Sequence, residues 1–123
     1  MSLLALVIDD SMLVRHTVGR FLEARGFSVE SATDGVAALE TLKIIRPDII
    51  FTDLKMPRLD GYALIDALKA NPETACIPVV ILAARPLSGE MKETGAHSII
   101  YKDLNVEDQL IQALESLFPS SLP

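Results

Sequence analysis

Three carboxylates and one ammonium group carry the chemistry legible in this sequence. Asp9 and Asp10 follow the apolar run 4–8, Asp53 follows the run 49–52, and Lys102 follows Ile99-Ile100-Tyr101. Carboxylates gathered into one crevice repel each other unless they are protonated or bridged by a cation. Mg²⁺ suits such a place, because it takes oxygen ligands, keeps several waters and binds through one or two carboxylates plus a phosphate. One carboxylate can then act as a nucleophile and form an acyl phosphate. A transferring phosphoryl group spreads charge over its equatorial oxygens, so a nearby cation helps. Lys102 stands where it can reach back over the crevice as that cation.

The elements that must bring these residues together follow from hydrophobic patterning. Short apolar runs at 4–8, 27–32, 49–52, 79–82 and 99–101 alternate with amphipathic stretches. Four of the runs are continuous and rich in Val, Ile and Leu, as strands buried on both faces are. The second, Phe27-Ser28-Val29-Glu30-Ser31-Ala32, alternates and is expected at a sheet edge. Val14, Val18, Phe21 and Leu22 repeat at helical spacing, as do Val106, Leu110, Leu114 and Leu117, and Leu64 with Leu68. Ser11 or Asp10 can cap the first helix and Gly26 can end it. Pro47 is expected to end the second helix and Asn71-Pro72 the third. Asp60 is expected to cap the third, with Gly61 as its first residue.

Five strands alternating with five helices predict an α/β, three-layer doubly wound (βα)5 sandwich with a five-stranded parallel sheet. With the second strand at an edge, the flavodoxin-like order 2-1-3-4-5 is favoured, and ligands then bind beyond the C-termini of strands one and three. Asp9, Asp10 and Asp53 all fall at that point.

Composition bounds the rest. The chain has 123 residues, 50% apolar and 23% charged, which suits one domain spanning 1–123. Its core is expected at about 4–118, with 119–123 as a tail or linker stump. Net charge is −6, from 17 acidic and 11 basic residues, which argues against direct nucleic-acid binding and against docking on an anionic membrane. Cys76 is the single cysteine, so no internal disulfide forms, and a reducing, cytoplasmic setting is expected. No apolar run approaches the ~20 residues of a membrane span.

The motifs carry a family resemblance. The pair Asp9-Asp10, the run Asp53-Leu54-Lys55-Met56-Pro57 with Asp60-Gly61, and Gly95-Ala96 ahead of Lys102 resemble the response-regulator receiver domain of two-component signalling. The acidic pair alone is a weak signal; in combination with the Met-Pro motif and the late Lys it is specific. The resemblance spans 4–117. It implies Asp53 as phosphoacceptor, supplied by a histidine kinase or phosphotransfer protein. It implies Mg²⁺ held by Asp10 directly, by Asp9 largely through water, by Asp53 and by the backbone carbonyl of Lys55. Lys102 would contact the phosphoryl group. It also implies a downstream output protein or a covalently linked output domain. The domain would be a signalling protein rather than an enzyme, catalysing only its own phosphorylation and dephosphorylation.

The departures from the family pattern cluster in the fourth and fifth β/α units. The fourth strand ends on Ala83, where receivers usually carry a Thr or Ser whose hydroxyl bonds the phosphoryl group. Ile99 stands where an aromatic switch residue is usual, with Tyr101 on the same face. The segment between Ala83 and Lys102 is short by about one helical turn, so Arg85-Pro86-Leu87-Ser88-Gly89 reads as a loop before a stunted fourth helix. Asp103 replaces the usual, often cis, proline, and a cis bond is not expected there. Receivers often form homodimers through these same units, so that option extends to this chain.

Other readings stay beside this one. A pseudo-receiver would work through constitutive protein contacts. A flavin-binding flavodoxin-like protein shares the topology, but the first loop, Asp9-Asp10-Ser11-Met12, is acidic and not built as a phosphate cradle. Met56 reads as loop packing, His16 as a surface histidine on a helix where a kinase could dock, and His97 and Cys76 as structural.

Overall fold

The computed structural model describes residues 3–84, 95–102 and 105–119. Five parallel strands form one sheet: β1 (Leu4–Ile8), β2 (Ser28–Ala32), β3 (Ile49–Asp53), β4 (Val79–Ala83) and β5 (Ser98–Tyr101). Their order is β2-β1-β3-β4-β5, the doubly wound arrangement expected from the sequence. Four helices occur among the described residues: α1 (Met12–Ala24), α2 (Gly35–Leu42), α3 (Gly61–Ala70) and α4 (Val106–Leu117). The stunted helix expected in 85–94 lies outside the described residues, and so does Asp103.

Strand alternation builds two cores from one sheet. Leu6, Ile8, Ile50, Val79 and Ile81 face one side, where Leu42 of α2 and Leu64, Ile65 and Leu68 of α3 cover them. Ala5, Val7, Ile49, Phe51, Val80 and Leu82 face the other, under Val18 and Leu22 of α1 and Leu110 and Leu114 of α4. A strand with helices on both faces must be apolar at successive positions, and β1, β3 and β4 are. Edge strand β2 has exposed Ser28, Glu30 and Ser31, which explains its alternating pattern.

The helix ends follow local chemistry. Ser11 Oγ accepts from Val14 N at 3.3 Å, so Ser11, of the two candidates, caps α1. Asp60 Oδ1 accepts from Ala63 N at 2.9 Å and caps α3, with Gly61 as its first residue. The second helix departs from expectation. It ends at Leu42 rather than running on to Pro47. The residue before a proline is driven out of the helical region. The chain unwinds ahead of it through a turn, in which Ile44 N and Ile45 N both donate to Thr41 O at 2.9 and 3.1 Å. Arg46 donates back to the Leu42 carbonyl.

Candidate functional site

The first carboxylate of the site emerges where β1 stops. Asp9 N donates to Ala32 O at 3.2 Å, so the chain stays in register with β2 one residue beyond the strand. The Asp9 side chain is fully buried. Its Oδ1 accepts from Ser11 N at 2.9 Å, and its carbonyl from Arg15 Nη1 at 2.8 Å. Asp10 is exposed at the crevice mouth.

Asp53 is the last residue of β3, paired in register with Leu82 of β4. Leu54 N donates to its Oδ1 at 2.8 Å and fixes the carboxylate's rotation. Behind it, Gly61 N donates to Leu54 O at 2.8 Å. A Cβ on Gly61 would lie 2.3 Å from the Asp53 carbonyl oxygen, so only glycine lets α3 start this close to the strand end.

Lys102 closes the crevice from β5. Its backbone N donates to Ala83 O at 2.7 Å, continuing the ladder past Tyr101. The Gln109 side-chain amide pairs with both Tyr101 N and Tyr101 O at 2.9 Å, which holds the strand end from the α4 side. The Lys102 ammonium then donates to Asp9 Oδ2 at 2.8 Å and lies 3.4 Å from Asp53 Oδ2.

Carboxylate oxygens of Asp9, Asp10 and Asp53 all lie within 4.8 Å of one another. Burial, and then the negative charge of Asp9, push the Asp53 carboxyl above its ordinary range, and Lys102 only partly offsets them. Burial alone would lower the Lys102 ammonium. The hydrogen bond and charge of Asp9, with the charge of Asp53, outweigh it and hold the ammonium above its usual value. Three negative charges therefore face one positive charge. A hard divalent cation fits that all-oxygen donor set and would balance the remaining charge.

The structure brings Asp9, Asp10, Asp53 and Lys102 together. Lys55 is exposed in the loop after Asp53, and Met56 is buried against the α2/α3 core, as loop packing requires. Ala83 ends β4 at 2% exposure, opposite Tyr101 in register. Ile99 and Tyr101 pack on the same cluster, so they do share a face. His16 and Cys76 are exposed. Sequence reasoning missed the Gln109 clamp on Tyr101 and the partnership of Asp34 with Arg58. The Asp34-Gly35 pair ahead of an apolar stretch was the available signal, a helix cap at the head of α2.

The response regulator receiver domain model matches residues 5–115 of this chain. The chain belongs to the response regulator receiver family. The receiver is 39% identical over 116 residues to the gliding motility regulatory protein of Myxococcus xanthus, covering 91% of this chain and 15% of that protein. It is 36% identical over 113 residues to response regulator MprA of Mycobacterium bovis, covering 89% of this chain. It spans 48% of MprA, about half that protein's length. Its fold matches the receiver domain of sensor histidine kinase PA1611 from Pseudomonas aeruginosa, with TM-score 0.86 over 98% of this chain and 100% of that chain at 23% identity, which shows the fold alone. That structure has a magnesium ion coordinated in its active-site cleft. Receivers serve two-component signalling and bind Mg²⁺ at an acidic pocket, and this receiver carries such a cluster. No helix among the described residues is long and apolar enough to cross a membrane.

Proposed function

We propose that Asp53 accepts a phosphoryl group from a histidine kinase or phosphotransfer protein, with Mg²⁺ held by Asp10, Asp9, Asp53 and the Lys55 carbonyl. The observation that carries this reading is the Lys102 ammonium standing between Asp9 and Asp53. The Asp53 carboxylate oxygen forms a bond to phosphorus while the donor's P–N bond breaks. The electron pair returns to the donor histidine nitrogen, and an acyl phosphate results. The cation, when bound, neutralises charge on the carboxylates and the incoming phosphoryl oxygens. Lys102 is 3.4 Å from Asp53 Oδ2 and supplies a second positive group, ready before reaction. Asp9, with no exposed surface, holds that ammonium in place.

The receiver is a signalling protein that catalyses only its own phosphorylation and dephosphorylation, in the cytoplasm. It passes the signal to an output protein or a linked output domain. Acetyl phosphate with Mg²⁺ should add one phosphoryl mass, and Asp53→Asn should abolish the adduct in intact-mass spectrometry. Wild-type protein that stays unlabelled under those conditions would sink the reading.

Ala83 favours a second reading, a pseudo-receiver acting through constitutive contacts. Its methyl group offers no hydroxyl to a phosphoryl group. In that case Asp53→Asn would leave partner binding unchanged in a pull-down with the cognate output protein.

A further inference from the structure

Away from the carboxylates, the loop between β3 and α3 is fastened to the loop between β2 and α2. Arg58 Nε donates to Asp34 Oδ2 at 2.9 Å, and Arg58 Nη2 to Asp34 Oδ1 at 3.1 Å. Asp34 is buried, and its Oδ1 also accepts from Ala37 N at 2.8 Å as the cap of α2. The Arg58 guanidinium holds the Asp34 carboxyl below its ordinary range. One residue along each loop, Gly35 N donates to Leu59 O at 3.3 Å. A Cβ on Gly35 would stand 2.5 Å from that oxygen, so the two loops meet backbone to backbone.

Arg58 itself stands at φ +70°, in the left-handed region that side chains rarely adopt. Such strain persists only where the surroundings over-determine it. The two-pronged contact with Asp34 does so, and the planar guanidinium fork is the group that fits a carboxylate this way.

The fastened loop starts at Asp53 and contains Lys55. Its near end is fixed at Leu54 by Gly61 N. Its far end is fixed at Arg58 and Leu59. Only Lys55, Met56 and Pro57 lie between these anchors. Met56 is buried in the core, and Pro57 has a locked φ.

We propose that Arg58 is a positioning residue for the metal site: its fork on Asp34 fixes residues 55–57 and so presets the Lys55 carbonyl as a cation ligand. This rests on the reading of that carbonyl as a ligand given above. Groups that orient a metal's ligands typically change its affinity by about 10–100-fold when lost.

The test is a Mg²⁺ titration of the isotope-labelled chain followed by amide NMR, for wild type, Arg58→Gly, Arg58→Lys and Asp34→Asn. Glycine accepts the positive φ without strain, so Arg58→Gly keeps the fold, and unchanged amide signals outside 33–38 and 54–60 check this. It should bind Mg²⁺ about tenfold more weakly. Arg58→Lys, with charge but no fork, should fall between it and wild type. Asp34→Asn keeps a good helix cap and should weaken binding in the same direction. Arg58→Gly with wild-type Mg²⁺ affinity overturns the inference, and so does a lower melting temperature with unchanged affinity. A wild-type chain that takes up no Mg²⁺ overturns the metal-site reading, and this inference falls with it.

Discussion

The two sides of the crevice differ in kind. On the β1 and β3 side, Asp9 and Asp53 are buried carboxylates whose oxygens accept from the backbone N–H groups of Ser11 and Leu54. On the β4 side, Ala83 presents a methyl group packed near Ile99 and Tyr101, and its carbonyl is taken by Lys102 N. The first side holds the groups that, on the proposed function, bind a cation and a phosphoryl group. The second has no hydroxyl through which β4 could sense that the group has arrived. On that proposal, site chemistry and its conformational report rest on different side chains, so one can stay while the other changes.

Lys102 is the part both sides share, and removing it should have the largest effect. Lys102→Met leaves the fully buried Asp9 carboxylate unpaired. Loss of one partner of a buried pair costs about 3 kcal/mol, and loss of a positioned charge at a transferring group slows it about 100-fold. Urea melts and the rate of acetyl phosphate labelling test the two. A variant labelled at the wild-type rate would remove Lys102 from the chemistry.

Ala83→Thr would sharpen the comparison by restoring a hydroxyl at the end of β4. A hydrogen bond to a charged group is worth roughly 1.5–3 kcal/mol, or tenfold and more in a conformational equilibrium. Beryllofluoride with Mg²⁺ should then shift the amide signals of Ile99, Ile100 and Tyr101 more in the variant than in wild type. Equal shifts would show that the missing hydroxyl does not limit the response.

The smallest effect concerns Asp53 in the absence of cation. Its folded carboxyl lies above the ordinary range, so folding disfavours the ionised form. That penalty is absent at acid pH and grows as pH rises through the raised folded value. Without Mg²⁺, Asp53→Asn should melt above wild type at neutral pH, and the gain should vanish toward about pH 4. Mg²⁺ should narrow the gap by stabilising wild type alone. A variant that melts lower at neutral pH would show that Lys102 contact outweighs Asp9 repulsion.

The sequence by itself determined the layered sheet and the cluster at its edge. Runs such as Leu4–Ile8 and Val79–Ala83 are apolar at successive positions because helices cover both faces. A two-faced strand is a local pattern that needs no knowledge of its neighbours. The strand order then placed Asp9, Asp10 and Asp53 together, and the absence of a hydroxyl at Ala83 was plain from residue type. Only the tertiary structure decided that the Lys102 ammonium sits 2.8 Å from Asp9, across 93 positions of chain, and 3.4 Å from Asp53. It also decided that Arg58 turns left-handed to reach Asp34, 24 positions away. Those outcomes depend on distances between loops that meet only after the sheet has formed. No local propensity encodes such distances, because the balance of burial and charge that sets them exists only in the folded crevice.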